Sequence, residues 1–483
     1  MEVTDLSTLI VLFIMVCNIV FAGVVVFIER RDIGSTWAWL MILFFIPILG
    51  FFVYLFLGRQ LKQKNFYRLS SEEKGYLQSE VDEQLRELTR SEWNHHDTLK
   101  KHVDLLKMNL KSSNALLTFG NDLEIFSNGH GKFESLFKDI GNAKKEIHLQ
   151  YYIIQPDSLG KKLRDELTKK AKEGVKVRIL YDEIGSKKIS RSFFNELISF
   201  GGEVEVFFPS ILKIINFRIN NRNHRKLCII DNRIAYIGGF NVGNEYLGLV
   251  KKFGYWRDTH LRIVGDAVNQ IQGRFILDWN YTAKNKLNFK RFLLQKENDD
   301  TNIPIQIIAS GPNSGTEHIK NMFIKLIMSA KRSVYIQTPY FVPDTSFMDA
   351  CKIALLSGVD VRIMFPNKPD HPFVKWASGY YSGELLKYGA KILLYDKGFL
   401  HAKTIVVDQE VATVGTANID TRSFHLNFEV NAVVYDKRTA QQLAQLFFQD
   451  SENSSELTMD VFERRSFFVR LKEAISRLLS PIL

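Results

Sequence analysis

The sequence predicts an α/β protein built from two duplicated α/β sandwich halves around one active site, preceded by a two-helix transmembrane hairpin. Three observations carry this expectation. The run His224-Arg225-Lys226-Leu227-Cys228-Ile229-Ile230-Asp231, followed by Gly238, Gly239 and Asn241, recurs as His401-Ala402-Lys403-Thr404-Ile405-Val406-Val407-Asp408, followed by Gly415, Thr416 and Asn418. Every matched pair lies 177 positions apart, as 401 does from 224. Upstream, Ala143–Gln150 parallels Ala330–Gln337 and Gly174–Ile179 parallels Gly358–Ile363, so a helix-then-strand unit occurs twice in the same order. Before all of this, two long stretches carry no charge.

Those stretches are Leu6 to Ile28 and Trp37 to Leu57, 23 and 21 residues, each long enough to cross a hydrocarbon layer as a helix. The first lacks the basic start and Ala-x-Ala site of a cleaved signal peptide. Trp37 and Trp39 at the edge of the second favour a span over a core helix. Lys and Arg counts give the orientation. None precede the first span, Arg30 and Arg31 lie between the two, and Arg59, Lys62, Lys64, Arg68 and Lys74 follow. The excess on the outer flanks predicts a multi-pass protein of the cell membrane with its large domain in the cytoplasm.

The expected layout is a hairpin over 1–58, with spans at about 6–28 and 37–57, and a helical connector over 59–118 with apolar positions such as Leu85, Leu88, Leu105 and Leu106. The first half then covers 119–290, the second 291–450, and an amphipathic helix 451–483. In that last segment Phe468, Leu471, Ile475, Leu478 and Ile482 fall at helical gaps of 3 and 4, with Arg470, Lys472 and Arg477 off the stripe. Two readings stay open there: an interfacial helix on anionic lipid, or an ordinary helix packed on the domain.

A single His-x-Lys-x4-Asp arises by chance on the order of 10⁻⁴ per start, so one copy is weak and two in register are strong. Residues two apart on a strand share a face, which projects His224 with Lys226 and His401 with Lys403. Asp231 and Asp408 stand at an odd spacing and open polar turns, which favours holding the strand end over direct attack. Asn241 and Asn418 either close turns or bind a substrate oxygen. Gly238 and Gly239 are read as relieving backbone crowding. A net charge of +11 favours an anionic partner, nucleic acid and acidic phospholipid alike. The three cysteines provide neither a disulfide framework nor a zinc spacing.

The paired motif resembles that of the phospholipase D superfamily over most of residues 120 to 450. That resemblance implies one phosphodiester-cleaving site, with His224, Lys226, Asp231, His401, Lys403 and Asp408 as the catalytic set and Asn241, Asn418, Asp258 and Glu429 in support. In the superfamily an acid downstream of each motif hydrogen-bonds the catalytic histidine, and Glu429 and Asp258 match those positions. The resemblance further assigns His224 as nucleophile and His401 as acid and base. Since no carboxylate cluster suited to Mg²⁺ accompanies either motif, no cofactor is expected.

Superfamily members act on lipids or nucleic acids, so the motif alone does not name the substrate. The hairpin run Glu29-Arg30-Arg31, Thr36-Trp37-Ala38-Trp39 and Pro47-Ile48-Leu49-Gly50, with Arg222-Asn223-His224-Arg225-Lys226 and the terminal Arg477-Leu478-Leu479-Ser480-Pro481, looks like the bacterial cardiolipin synthases. This implies phosphatidyl transfer between two phosphatidylglycerol molecules through a phosphohistidine, with phosphatidylglycerol, anionic lipid and the membrane as partners and nucleic acid not expected. A membrane-bound lipid hydrolase and a basic nuclease remain the alternatives.

Overall fold

The computed structural model describes residues 3–29, 33–58, 66–67, 69–90, 96–210, 218, 220–289 and 303–480. Two sheets share one strand order. In the first half the core strands are β1 (Asp122–Phe126), β2 (Glu146–Tyr151), β3 (Lys176–Asp182), β4 (Glu203–Phe207), β5 (Leu227–Ile230), β6 (Ile234–Gly238) and β7 (His260–Val264). They lie side by side in the order β1-β7-β6-β5-β2-β3-β4. The second half has β8 (Ile305–Ser310), β9 (Ser333–Gln337), β10 (Asp360–Pro366), β11 (Lys391–Tyr395), β12 (Thr404–Val407), β13 (Val411–Gly415) and β14 (Asn427–Val434). Their order, β8-β14-β13-β12-β9-β10-β11, is the same arrangement. Parallel pairing of β2 with β3 and β9 with β10, antiparallel pairing elsewhere around the motifs, and helical crossovers make each half a mixed-sheet α/β unit.

The sheets pack through one shared core. Leu227, Ile229, Ala235 and Ile237 of the first half and Val406, Ala412, Val414 and Val430 of the second belong to a single buried cluster, with the helices Ala267–Thr282 and Lys437–Ser451. The other face of each sheet has its own helical cover. Burying one face of both sheets against each other is what gives the two motifs a common end.

Between the amino end and the first sheet lie the helices Ser71–Thr89, Asp97–Lys101 and Val103–Ser113, the first capped by Ser70 and Glu73 in a reciprocal pair. Although this segment precedes the first half in sequence, it packs on the second: Leu88, Leu105 and Leu106 are buried with Ile319, Met322 and Leu326. Leu117–Thr118 likewise pairs with Ile305–Gln306.

At the amino end one of the two expected spans is a continuous helix, and the second stretch is interrupted. Val3–Phe27 is one helix, and its Leu6–Phe27 portion is long and apolar enough to cross a membrane. The stretch from 37 to 57 is broken into Ile33–Phe45, Pro47–Val53 and a wider turn over Tyr54–Gly58. At 1.5 Å per residue, the 13 residues of Ile33–Phe45 reach only about 20 Å. The cause is local: Pro47 has no N–H to give Leu43, four residues back. Asn18 of the first helix supplies the missing donor, its Nδ2 lying 3.2 Å from the Leu43 oxygen and 2.8 Å from that of Pro47. Arg30, Arg31, Arg59, Lys62, Lys64 and Arg68, on which the orientation rests, lie outside the described residues.

Immediately after this region the chain is fastened beside the motifs. Phe66 stacks on Tyr281 at 4.0 Å and on Phe428 at 4.8 Å, and the Tyr67 hydroxyl bonds Asp278. The Leu57 oxygen lies 3.4 Å from Asn220 Nδ2, two residues before Arg222.

Candidate active site

Each histidine stands in an extended lead into its strand, β5 or β12, and each lead is stitched to the opposite half. Arg222–Asn223 pairs in parallel with Asn427–Phe428, and Gly398–Leu400 with Tyr255–Arg257. The His224 N–H donates to the Phe428 oxygen at 3.0 Å, and the His401 N–H to the Arg257 oxygen at 2.6 Å. Because the partner strands run on into Glu429 and Asp258, each imidazole meets an acid from the other half. His224 Nδ1 lies 2.9 Å from Glu429, and His401 Nδ1 lies 2.7 Å from Asp258. An imidazole held at Nδ1 by a buried carboxylate presents its other nitrogen, Nε2. Both rings line one cavity of about 490 Å³.

The acids are buried differently. Glu429 also accepts from Thr416 at 2.6 Å and Ser423 at 3.0 Å. The residue matching Thr416 is Gly239, where a Cβ would come within 2.0 Å of Asp258. The glycine therefore makes room for an acid held close to the backbone, and the expectation of relieved crowding has a definite neighbour.

Lys226 and Lys403 are buried, and each donates to the carbonyl of its own motif histidine at 2.6 Å. Two ammonium groups and two imidazoles in one dry space perturb one another. Burial, with Lys226 and Lys403 adding to it against the pull of Glu429, lowers the His224 imidazole to about 4. Burial and Lys403, partly offset by Asp258, lower His401 to about 3. Lys226 falls well below the ordinary lysine range through burial, and Lys403 falls to about 8 for the same reason. Burial alone would raise the Glu429 carboxyl, but His224 and Lys226 outweigh it and hold it low. The site is short of negative charge, which is what a phosphodiester anion supplies.

The remaining predicted residues separate. Asp231 accepts backbone N–H groups from Lys144, Lys145 and Glu146 at 2.7 to 2.9 Å, and Asp408 accepts from Lys331, Arg332 and Ser333 at 2.7 to 2.8 Å. Both sit at the far ends of β5 and β12 with φ near +50°, and neither lines the cavity. The strand-end role is the one their contacts describe. Asn241 and Asn418 do line the cavity. Asn241 is engaged with the Ile153 N–H and the Tyr246 hydroxyl, and Asn418 donates to Asp420.

Side chains outside the predicted set complete the walls. Tyr152 packs edge-on against His224 at 4.9 Å, and Trp256 lies tilted against His401 at 5.2 Å. Arg222 and Arg422 add positive charge. Behind the histidines, Arg225 bonds Asp278 and Arg257 bonds Asp450 at 2.7 Å, while Gln150 and Gln337 bond the same two acids. Gln150, Tyr152, Arg222, Arg225 and Gln337 lie within or beside the repeated segments, and no repeated pattern marks Trp256, Arg257, Asp278, Arg422 or Asp450.

Residues 136–273 and 323–451 match the family described as cardiolipin synthase, PLD-like domain, and residues 10–59 match the phospholipase D-nuclease N-terminal family. The chain is 51% identical to a cardiolipin synthase of Listeria welshimeri over 97% of its length and 98% of the relative's. It is also 51% identical to the major cardiolipin synthase ClsA of Bacillus subtilis, over 99% and 100%. A phosphatidylserine synthase from Haemophilus influenzae shares the fold at a TM-score of 0.61, with 15% identity over 80% of this chain and all of that one. Paired motifs, crossed acids and full-length identity together make the chain an enzyme that belongs to the bacterial cardiolipin synthase family of the phospholipase D superfamily.

Proposed function

We propose that the enzyme transfers a phosphatidyl group from one phosphatidylglycerol to a second, giving cardiolipin and glycerol. The bound phosphodiester anion offsets the burial and the Lys403 charge that lower His401 in the empty site, and so favours its imidazolium. His224 Nε2 attacks phosphorus while this protonated His401 Nε2 gives its proton to the departing glycerol oxygen, and the P–O bond breaks as P–N forms. Neutral His401 then takes a proton from the terminal hydroxyl of the second lipid. That oxygen attacks phosphorus, the P–N bond breaks, and His224 is free again. Lys226 and Lys403 hold the non-bridging oxygens and stabilise the crowded transition state. Glu429 and Asp258 fix the tautomers, Asn241 and Asn418 brace the cavity wall, and Asp231 and Asp408 anchor the strands that carry the motifs.

The observation that carries this reading is that His224 and His401 face one cavity while being pinned from opposite halves. One diester replaces another, so the step requires no nucleotide. The same proposal includes the domain division at 118, 290 and 450, a hairpin that crosses the cell membrane twice, and a cytoplasmic catalytic unit bound to anionic lipid rather than nucleic acid. Incubating the purified enzyme with phosphatidylglycerol vesicles tests it by mass spectrometry. Cardiolipin with equimolar glycerol is expected; phosphatidic acid alone would replace transfer with hydrolysis.

A further inference from the structure

The carboxyl-terminal helix Phe467–Leu478 is seated the wrong way round for a helix on a water-facing surface. Its buried positions are polar, Glu473 and Ser476. Its apolar stripe faces outward: Phe467 is 72% exposed, Phe468 70%, Leu471 44%, Ile475 48% and Leu478 72%. An amphipathic helix packed on a domain in water buries its apolar stripe, so this orientation calls for an apolar partner outside the chain.

The seat is specific. The helix lies on Pro372–Leu386, where Tyr380 accepts from Arg477 at 2.6 Å, Lys472 stands 5.2 Å over Trp376, and Ser480 follows against Tyr381 at 3.1 Å. Glu473 packs against Gly379, where a Cβ would meet its carboxylate at 2.9 Å, and is paired with Arg465. The polar ridge is therefore committed to the protein, and the outward stripe is a consequence of the fold.

Three features select a bilayer as the partner. Arg470, Lys472 and Arg477 flank the stripe, the charge pattern of a helix lying at an anionic headgroup layer. The supporting helix Pro372–Leu386 also contributes Val374 to the cavity wall, with His371 just before it. The membrane-associated amino end terminates beside the same cavity, Leu57 touching Asn220, whose amide and carbonyl oxygens accept from the cavity residue Arg422 at 2.9 and 3.1 Å. We propose that Phe467–Leu478 lies in the headgroup layer of the anionic membrane that holds the amino end, and sets the cavity mouth on the lipid surface. Its role is to position the site, so that a lipid phosphate reaches the imidazoles while its acyl chains stay in the bilayer.

The test uses the full chain in lipid nanodiscs. In a Cys17→Ser background, Leu471→Cys carries an environment-sensitive fluorophore, and Glu452→Cys, exposed elsewhere, is the control. In phosphatidylglycerol discs the Leu471 label is expected to shift to the blue and be quenched by spin labels placed high on the acyl chain, with Glu452 unaffected. A smaller shift is expected in phosphatidylcholine discs. Emission at the value found in water, or a shift that lipid-borne spin labels do not quench, overturns the proposal, the latter by showing a protein partner. Equal shifts in both lipids overturn its anionic component.

A second measurement separates positioning from folding. The variant F468S/L471S/I475S/L478S changes only exposed side chains, and the amino-terminal helix still holds it in the disc. Its KM for long-chain phosphatidylglycerol in bilayers is expected to rise about tenfold, with turnover of a water-soluble short-chain analogue unchanged. Equal loss on both substrates overturns the positioning role. The fluorescence readout does not depend on turnover, so it stands or falls apart from the transfer mechanism.

Discussion

Glu429 belongs to the second half yet holds His224 of the first at 2.9 Å. Replacing it by Gln keeps the shape and the acceptor for Thr416 or Ser423, but turns a hydrogen-bond acceptor facing Nδ1 into an amide that can donate. The wrong tautomer then presents N–H instead of a lone pair at Nε2. Glu429→Gln is expected to lower kcat by about 10² to 10⁴-fold with little change in KM. Asp258→Asn is expected to do the same through His401, and the double variant to lose far less than the product of the two. Steady-state kinetics on phosphatidylglycerol discs check all three.

The two imidazoles are expected to differ in covalent chemistry. A phosphatidyl ester of p-nitrophenol needs no proton on its leaving group, so His401→Asn should still form the intermediate, then lack the base that activates the second alcohol. Intact mass should show a phosphatidyl adduct that maps to His224. His224→Asn should show none, and an adduct on His401 in that variant would reverse the assignment.

Asp408 is expected to matter for stability and not for chemistry. Ala in its place removes the acceptor of three N–H groups and puts a β-carbon without polar compensation at φ +52°. The expected cost is about 2–4 kcal/mol, lowering Tm by roughly 5 °C or more. Asp408→Asn, which tolerates that backbone conformation and keeps an acceptor, should cost about 1 kcal/mol. Differential scanning fluorimetry reads both, and kcat well below Tm should stay within about threefold of wild type.

The two sheets and the histidine and lysine pairs were legible because a duplication writes its own alignment: matched residues in matched order imply matched strands. The acids were legible as residue types, but their crossing was not. It depends on Arg222–Asn223 pairing with Asn427–Phe428 across some 200 residues, a contact that no local pattern encodes. Pro47 was visible inside the second apolar stretch, and an uncharged length of 21 residues hid its effect on the Leu43 carbonyl. Periodicity located the stripe of the carboxyl-terminal helix, and the direction it faces was set by Glu473 and Ser476 docking on another helix. The connector showed scattered apolar positions in sequence, and only the fold reveals that Leu88, Leu105 and Leu106 pack with Ile319, Met322 and Leu326.

The pH response of substrate binding follows from Lys403. Burial lowers its ammonium from the ordinary lysine value to about 8, with Asp258 and Glu429 only partly restoring it. A lowered lysine keeps its charge below that pH and loses it above, so the group that meets the phosphodiester anion is charged at pH 7 and increasingly neutral from about 8 upward. Bound lipid, itself anionic, favours the charged form and raises the titration point in the complex. KM should therefore be flat below pH 8 and rise up to about tenfold per pH unit above it, levelling where the lipid-bound lysine also titrates. In Lys403→Arg the guanidinium stays charged throughout, so the share of the alkaline rise that belongs to Lys403 should vanish, leaving that of Lys226, even if kcat falls because the planar group fits poorly. Measuring KM from pH 7 to 10 in discs of fixed phosphatidylglycerol fraction decides it: a wild-type KM that stays level across that range would remove Lys403 from the anion-binding role.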